Sequence, residues 1–277
     1  MTLISTPFSA RKILIAAAFA ACAAFTLPAL ADDTANNEIW KGLQKDVFGS
    51  RQILDGTGMI TLDAPIRAED AAVVPLTVKM PASFAANVTK LTLVIDKNPS
   101  PVVGAFTYGA AAGKGDRMLS TRVRMDQYSD VRAIAETSDG KLYMISRFVK
   151  ASGGCSAPAS KDAEEAAKTL GKMQIKTAIA KSTDGLSQEA QVMIKHPNTS
   201  GMQMDQVTGL YTPARFINKM EVKTGSNVVF SVEGGISFSE DPNVRFSYEG
   251  NPSDTMEVKA EDSDGTMFGG RSTPNPS

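Results

Sequence analysis

One residue in this chain has the chemistry of a covalent handle. Cys155 follows two glycines, Gly153 and Gly154, and precedes a short run of small residues that ends at Pro158. A thiol can be alkylated, oxidised or joined to another sulfur, and glycines keep side-chain bulk away from it. We therefore predict an exposed, flexible arm that presents the thiol of Cys155. The alternative is a small buried hydrophobe, which is the commonest fate of a free cysteine, although this segment offers it little apolar cover.

The start of the chain has the features of a secretory signal. Two basic residues, Arg11 and Lys12, precede an alanine-rich apolar stretch over 13–25, and Ala29-Leu30-Ala31 has the small-x-small cleavage pattern. We expect residues 1–31 to be removed and the mature protein to be periplasmic. Cleavage of the lipoprotein type before Cys22 is the less favoured alternative.

Export makes the remaining cysteine unusual. Removal of 1–31 leaves Cys155 as the one cysteine, so no intramolecular disulfide is possible, and a leftover cysteine in an exported protein is an intermolecular link or a reactive thiol. The 29 basic and 30 acidic residues form no basic block, which argues against nucleic acid as a partner. No later segment is long and apolar enough to predict membrane insertion.

Other chemically competent residues give weaker signals. His196, the single histidine, lies near Met193, Met202 and Met204, and imidazole with thioethers could bind Cu(I). The turn Asp262-Ser263-Asp264-Gly265 has carboxylates but no distant glutamate to complete a calcium loop. No Ser/His/Asp set, carboxylate pair or phosphate loop can be assigned, so we expect no enzymatic activity, no cofactor and no metal.

The elements that must position the cysteine are mostly strands. An amphipathic helix is predicted over 37–48, with its apolar positions at helical spacing: Ile39, Trp40, Leu43, Val47 and Phe48. From 63 to 150 the hydrophobic period is two, with a hairpin signal at Asp139-Gly140, and the second half repeats this pattern. Between the halves, Ser160 caps a short predicted helix over 161–170.

These patterns predict an all-β protein. The expected architecture is two immunoglobulin-like antiparallel β-sandwich domains joined by a short helical linker, preceded by the amphipathic helix. The predicted bounds are 32–158 for the first domain, 159–171 for the linker helix, 172–270 for the second domain and 271–277 for a disordered tail.

Two groups of motifs resemble known families. The hairpin Ser138-Asp139-Gly140-Lys141-Leu142-Tyr143, followed by Gly-Gly-Cys at 153–155, resembles the end of SoxY, whose mobile C-terminal arm carries a sulfur-binding cysteine. A second series resembles SoxZ, the immunoglobulin-like partner of SoxY. It consists of Ile194-Lys195-His196-Pro197, Thr199-Ser200-Gly201, Pro213-Ala214-Arg215-Phe216-Ile217 and Asp241-Pro242-Asn243-Val244-Arg245-Phe246.

The order of the two halves on one chain resembles the SoxYZ-like carriers associated with quinoprotein (PQQ-dependent) dehydrogenases. That resemblance implies a carrier for thiosulfate or related sulfur oxidation, with a persulfide or S-thiosulfonate held on Cys155. It implies Sox-type or quinoprotein dehydrogenase partners and c-type cytochromes. Ser156-Ala157-Pro158 replaces the trailing glycines of SoxY, so here the arm is tethered at both ends. The competing hypotheses are an assembly module with an incidental cysteine and a periplasmic copper-binding protein.

Overall fold

A computed structural model describes residue 2 and residues 29–159, 163–178, 188–205, 208–251 and 254–272. Most of the predicted signal segment lies outside these residues. The helices are α1 (Ala29–Phe48), α2 (Ala82–Ala85) and α3 (Ala163–Thr169). The strands of the first half are β1 (Ile53–Asp55), β2 (Thr61–Asp63), β3 (Val74–Met80), β4 (Val88–Ile95), β5 (Val102–Tyr108), β6 (Arg117–Val123), β7 (Ser129–Thr137) and β8 (Leu142–Val149). Those of the second half are β9 (Met173–Ala178), β10 (Gln188–Ile194), β11 (Ile217–Thr224), β12 (Asn227–Gly234), β13 (Asn243–Tyr248), β14 (Met256–Asp262) and β15 (Met267–Arg271).

The strands form two sheets, which confirms the predicted all-β sandwich class. The larger sheet has the order β1-β8-β7-β4-β5-β12-β11-β14-β15, and the smaller has the order β2-β3-β6-β13-β10-β9. Almost all neighbours are antiparallel, as hairpin connections require, and β1 is the exception because it pairs in parallel with β8. No helix in the part of the chain that the structure covers is both long and apolar enough to cross a bilayer.

Both sheets run through the junction between the two halves of the chain. Strand β5 pairs with β12 in one sheet, and β6 pairs with β13 in the other. Phe106 on β5 packs edge-to-face on Phe230 of β12, with ring centroids 5.6 Å apart, an arrangement that aromatic pairs favour. The halves therefore share one hydrophobic core, and the four strand edges that separate sandwiches would expose are paired with one another instead.

The apolar residues that alternate with polar ones in the sequence are the residues whose side chains are buried in the structure. In β3 the side chains of Val74, Leu76, Val78 and Met80 are buried, and the residues between them are exposed or half-buried. This alternation places one face of the sheet in the core and the other towards solvent. The predicted hairpin at Asp139-Gly140 is also present, with Gly140 at a φ of +80°.

Helix α1 packs against the outer face of the larger sheet through Trp40, Leu43 and Phe48. The indole ring of Trp40 covers the guanidinium of Arg132, which lies 4.2 Å from the ring centroid. Arg132 in turn forms a buried salt bridge to Asp96 at 2.7 Å. The predicted docking face of the helix is thus confirmed in part, while Ile39 and Val47 remain exposed at its edge.

Two details differ from the sequence-based expectations. Strands β1 and β2 were not predicted, because three-residue segments carry too little periodicity to recognise. The expected disorder from residue 271 is wrong for the first two residues. Arg271 ends β15, which pairs with β14, and the hydroxyl of the buried Ser272 accepts a hydrogen bond from the amide of Met256. Residues 273–277 lie outside the described part of the chain.

Candidate functional site: a docked cysteine arm

The arm that carries Cys155 leaves the larger sheet at the end of β8 and lies against the protein. Cys155 is 0% exposed. The prediction of an exposed thiol on a bare loop is therefore wrong for this structure. The arm lies against the backbone of Ala71 and Met125 and against the buried Arg124, all distant in the sequence, so the composition of the arm did not reveal its docked position.

Each glycine of the arm meets a different steric demand. The amide of Gly154 donates to the carbonyl of Met125 at 2.8 Å, and a Cβ on Gly154 would lie 2.0 Å from the carbonyl oxygen of Ala71. Glycine is thus required at position 154, because the backbone of the arm passes too close to the backbone of Ala71 for any side chain to fit. Gly153 has a φ of +81°, a left-handed conformation that favours glycine, and no atom outside its chain neighbours lies within 4 Å of the position that a Cβ would take. The glycines predicted to give the arm flexibility therefore also permit it to dock.

Both halves of the chain hold the arm in place. From the first half, Nη1 of Arg124 donates to the carbonyl of Gly154 at 3.1 Å. From the second half, the hydroxyl of Ser200 donates to the carbonyl of Cys155. The amide of Ser200 itself donates to Oε1 of Gln203 at 2.9 Å, which fixes the loop that carries it. The docked arm is consequently a contact between the halves as well as a feature of the first half.

The environment of the thiol disfavours its reactive form. Burial raises the pKa of Cys155 to about 12, and the negative charge of Asp126 acts in the same direction. The positive charge of Arg124 opposes both effects without overcoming them. Because the thiolate is the nucleophile, the docked Cys155 is protonated and unreactive at neutral pH.

The raised pKa predicts how thiol reactivity depends on pH. Because the pKa of the Cys155 thiol is raised in the docked state, the neutral thiol favours docking fully at pH values below its ordinary pKa of 9.0. That contribution to the stability of the docked state is lost as the pH rises towards about 12. Iodoacetamide alkylation of the native protein should therefore keep accelerating between these pH values, whereas urea-unfolded protein should reach a plateau. Intact-mass time courses would measure both rates, with circular dichroism monitoring the fold. A native profile that levels off together with the unfolded one would contradict a buried, pKa-shifted thiol.

The loop that carries Ser200 is anchored by a buried polar cluster around Asp262. The carboxylate of Asp262, 0% exposed, accepts a hydrogen bond from Nε of Arg215 at 2.9 Å and lies 3.5 Å from Nε2 of His196. Nδ1 of His196 accepts from the amide of Asn198 at 3.0 Å. Burial lowers the pKa of His196 and outweighs the opposing effect of Asp262, so the ring is neutral at neutral pH.

This cluster weighs against copper binding at His196. Both ring nitrogens lie against protein groups, and the neighbouring Met204 side chain is on the exposed surface. Over the described residues, no group of three or more His, Cys, Asp or Glu side chains is arranged to hold a metal. The turn at 262–265, considered above as a possible calcium loop, forms the hairpin between β14 and β15. His196 therefore contributes to the position of the loop that clasps the arm.

Sequence reasoning found Cys155 and the glycines but missed Arg124 and Ser200. Ser200 entered only as part of a motif that resembles SoxZ, with no role attached to it. Arg124 is one of several arginines in the first half, and nothing in its immediate sequence distinguishes it from Arg117 or Arg122. Its burial at 1% exposure comes from contacts with residues distant in the chain, which local patterns do not report.

Beyond the cysteine, the arm borders a cavity of about 550 Å³. Pro158 and Ala159 of the arm, Ala166 and Leu170 at helix α3, and the loops that contain Thr199 and Arg215 contribute to its walls. The helix that was predicted over 161–170 ends at Thr169, residues 161 and 162 lie outside the described part of the chain, and the helix forms one wall of a space next to the arm.

Fold and site together define an all-β protein of two joined halves, in which a cysteine-bearing arm of the first half is clasped by the second. Comparison with protein families gives each half an identity. The family model "Sulfur oxidation protein SoxY" matches residues 44–155, and "Sulphur oxidation protein SoxZ" matches residues 175–273. The chain therefore belongs to both families, as a fused SoxYZ-like protein, and the SoxY match ends at Cys155.

Among the solved structures that match, a sulfur carrier is similar to part of this chain. It is the sulfur carrier protein SoxY from Chlorobium limicola f thiosulfatophilum, at 26% identity, covering 43% of this chain and 97% of that one, with a TM-score of 0.35. A search of curated protein sequences gives no significant match.

Proposed function

We propose that this protein is a periplasmic carrier of sulfur compounds, which holds a covalent sulfur adduct on Cys155 and presents it to partner enzymes of sulfur oxidation. The observation that carries the proposal is the position of Cys155. It is the last residue of the SoxY match, and it is the free cysteine of the described residues.

The loading step forms one sulfur–sulfur bond. With thiosulfate as the cargo, the sulfur of Cys155 joins the terminal sulfur of thiosulfate, the thiol proton is released, and two electrons pass to an oxidant. A c-type cytochrome is the class of partner that accepts such electrons one at a time. The product is a cysteine S-thiosulfonate, which carries a negative charge at its sulfonate end. Release by hydrolysis of the terminal sulfonate as sulfate leaves a persulfide, the second form of cargo.

Loading requires the arm to leave its docked position. In the docked state Cys155 is fully buried and its pKa is raised to about 12, so neither a partner enzyme nor an oxidant can reach a reactive thiolate. The contacts that hold the arm are few: hydrogen bonds of Gly153, Gly154 and Cys155 to Asp126, Met125, Arg124 and Ser200. A partner that competes for these groups would expose the cysteine. The carrier is then inert until it meets such a partner.

The partners and the compartment extend this proposal. The two family assignments support Sox-type enzymes as partners, and the signal features of 1–31 support a periplasmic location. A quinoprotein dehydrogenase with its c-type cytochrome is the finer assignment, and it rests on the order of the two halves in one chain.

The burial of Cys155 also favours one alternative function. A thiol that is 0% exposed is what an assembly module with an incidental cysteine would contain. In that case the protein would bind the same partners but carry no cargo. The two functions differ in whether Cys155 is ever modified.

The test is the mass of the protein from cells grown on thiosulfate and purified without reductant. We expect a fraction with added mass that dithiothreitol removes, and we expect the Cys155→Ser variant to lose it completely. Cys22→Ser is the matched control, because Cys22 lies in the segment predicted to be removed, and it should leave the adduct unchanged. Unmodified protein in every preparation, with a thiol that resists thiosulfate and oxidant together, would support the assembly module instead.

A further inference from the structure

A buried arginine beside the arm has donor groups that the protein does not use. Arg124 is 1% exposed and is the largest fully buried side chain of the described residues. Its Nη1 donates to Gly154, but its Nε and Nη2 have no hydrogen-bond partner among the described residues. Burial lowers the pKa of Arg124, yet a guanidinium stays charged in proteins. A buried charge with open donors is unfavourable, so this arrangement calls for an acceptor.

The side chain of Arg124 contributes to the wall of a cavity of about 200 Å³ at the junction of the two halves. Its walls include Arg124, its neighbour Arg122, and Pro158 from the arm. Nε of Arg122 is likewise buried without a partner in the described part of the chain. Two guanidinium groups with unsatisfied N–H donors therefore border one small space, although Nη2 of Arg122 already donates to the carbonyl of Asp241 at 3.3 Å, and a small rotation of each group would turn its buried donors towards that space.

The geometry points to an oxyanion subsite: this cavity binds a small sulfur oxyanion through Arg122 and Arg124. Guanidinium donors match the paired oxygens of such anions, and charge-assisted hydrogen bonds of this kind are among the strongest in proteins. The assignment to sulfur oxyanions, rather than to other oxyanions, rests on the proposed carrier function. The ligand is either free thiosulfate or the sulfonate end of the adduct on Cys155, since the two share this chemistry.

Three carboxylates also line the cavity, and their contacts explain why they do not take the place of an anion. Asp241 forms a salt bridge with Lys195 at 2.6 Å, and Asp70 accepts from the amide of Ala72 at 2.7 Å. Glu240 supports the charge of Arg124 but accepts from neither its Nε nor its Nη2. The carboxylates thus leave the arginine donors open. They also offset the charge of the two arginines, so binding should depend on the hydrogen bonds that an anion makes to the donors, not on a net positive charge.

The subsite lies where an adduct on the arm would need it. Arg124 holds the carbonyl of Gly154, the residue before Cys155, and its charge acts on the thiol. Pro158, three residues after the cysteine, is part of the cavity wall. An adduct does not fit the site in which the unmodified thiol is completely enclosed, so a loaded arm must dock differently. Placing its sulfonate in the adjacent cavity would satisfy Arg124 and shield the cargo from other thiols.

Calorimetric titration of thiosulfate and sulfate into the purified, reduced protein tests the site. We expect saturable binding to wild type and to Cys155→Ser, where no adduct can form. Arg124→Gln and Arg122→Gln should each weaken it about tenfold or more, because each removes charge-assisted hydrogen bonds. Arg245→Gln is the matched control: Arg245 is an exposed arginine of β13 that pairs with Glu189, and its loss should change nothing. Circular dichroism and melting of each variant would show whether it is folded.

The outcomes of these experiments separate this proposal from the carrier function. Binding of the free anion to Cys155→Ser, lost in Arg122→Gln with the fold intact, supports the subsite whether or not an adduct is ever found. A second outcome assigns the subsite to the adduct alone. In that outcome Cys155→Ser does not bind the free anion, but dithiothreitol removes the adduct faster from Arg122→Gln than from wild type. No binding by any protein, together with an adduct whose stability is unchanged in both arginine variants, overturns it and leaves the carrier function standing. Equal binding to wild type and to both arginine variants also overturns it.

Discussion

Replacing Gly154 with alanine should make Cys155 react with iodoacetamide roughly tenfold to a hundredfold faster at neutral pH. The added Cβ would lie 2.0 Å from the carbonyl oxygen of Ala71 and 2.8 Å from that of Met125. Both are backbone atoms, which cannot move aside as the end of a side chain can. Overpacking of this kind typically destabilises the packed state by about 1–3 kcal/mol. Because about 1.4 kcal/mol corresponds to a factor of ten in the population of the undocked arm, this cost gives the expected acceleration of roughly tenfold to a hundredfold. Alkylation followed by intact mass would measure the change.

Gly153→Ala is the matched control, because it adds the same methyl group one residue earlier. No atom lies within 4 Å of that Cβ, and the one penalty is the left-handed φ of +81°. Such strain amounts to about 1–2 kcal/mol, and part of it persists in the undocked arm, so the acceleration should be clearly smaller. Equal reactivity of both variants, with native circular dichroism, would mean that the close approach to Ala71 does not hold the arm.

Loss of Asp262 should destabilise the second half of the protein by about 3 kcal/mol. This carboxylate is fully buried, and it accepts hydrogen bonds from Arg215 and from the amides of Asp264 and Thr266. An Asp262→Ala substitution would leave the partly buried cation of Arg215 without its closest acceptor, and breaking a buried pair from one side typically costs about 3–5 kcal/mol. Urea unfolding followed by circular dichroism would measure the free energy of unfolding. Because His196 leads into the loop of Ser200, alkylation of Cys155 should also accelerate.

Asp264→Ala provides the comparison, since Asp264 binds the same arginine at 3.1 Å but its side chain is 55% exposed. Exposed pairs contribute at most about 1 kcal/mol, so this variant should stay close to wild type. A similar loss of stability in both variants would contradict the role given to burial.

The carboxylate of Asp262 also predicts how the stability of the protein changes at acidic pH. Burial alone would raise the pKa of Asp262, but hydrogen bonds from Thr266 and Arg215 outweigh it and leave the pKa lowered. A lowered pKa contributes stability above the unfolded value of roughly 3.9 and loses it as the pH falls further. Wild type should therefore lose more stability than Asp262→Ala over that acidic range, as measured by urea unfolding at a series of pH values.

Local patterns predicted most of the strands and the position of the arm that carries Cys155, and they did so for physical reasons. The alternation of Val74, Leu76, Val78 and Met80 follows directly from a sheet with one buried face. The Gly-Gly-Cys motif marked the arm, because its residue types are unusual beside a sandwich strand. The burial of Cys155 could not be predicted in this way, since it depends on Ala71, Arg124 and Ser200, which lie far from it in the sequence.

The joining of the two halves was equally inaccessible to local reasoning. Strands β5 and β12 have ordinary strand compositions, and neither contains a signal that selects the other as its partner. Their pairing depends on the register of whole sheets, which is a property of the assembled core. Likewise, Arg215 was noted only as part of a motif, and its contact with Asp262 spans 47 residues.

The continuity of both sheets across the junction has a consequence for stoichiometry. If the two halves were separate chains, the clasp of Ser200 on the arm would depend on concentration and would be lost on dilution. On one chain, the second half is held at an effective concentration in the millimolar range or above, without any new contact. Every molecule thus has one Cys155 arm and one clasp, and the sequestered state of Cys155 persists at the low protein concentrations of dilute extracts.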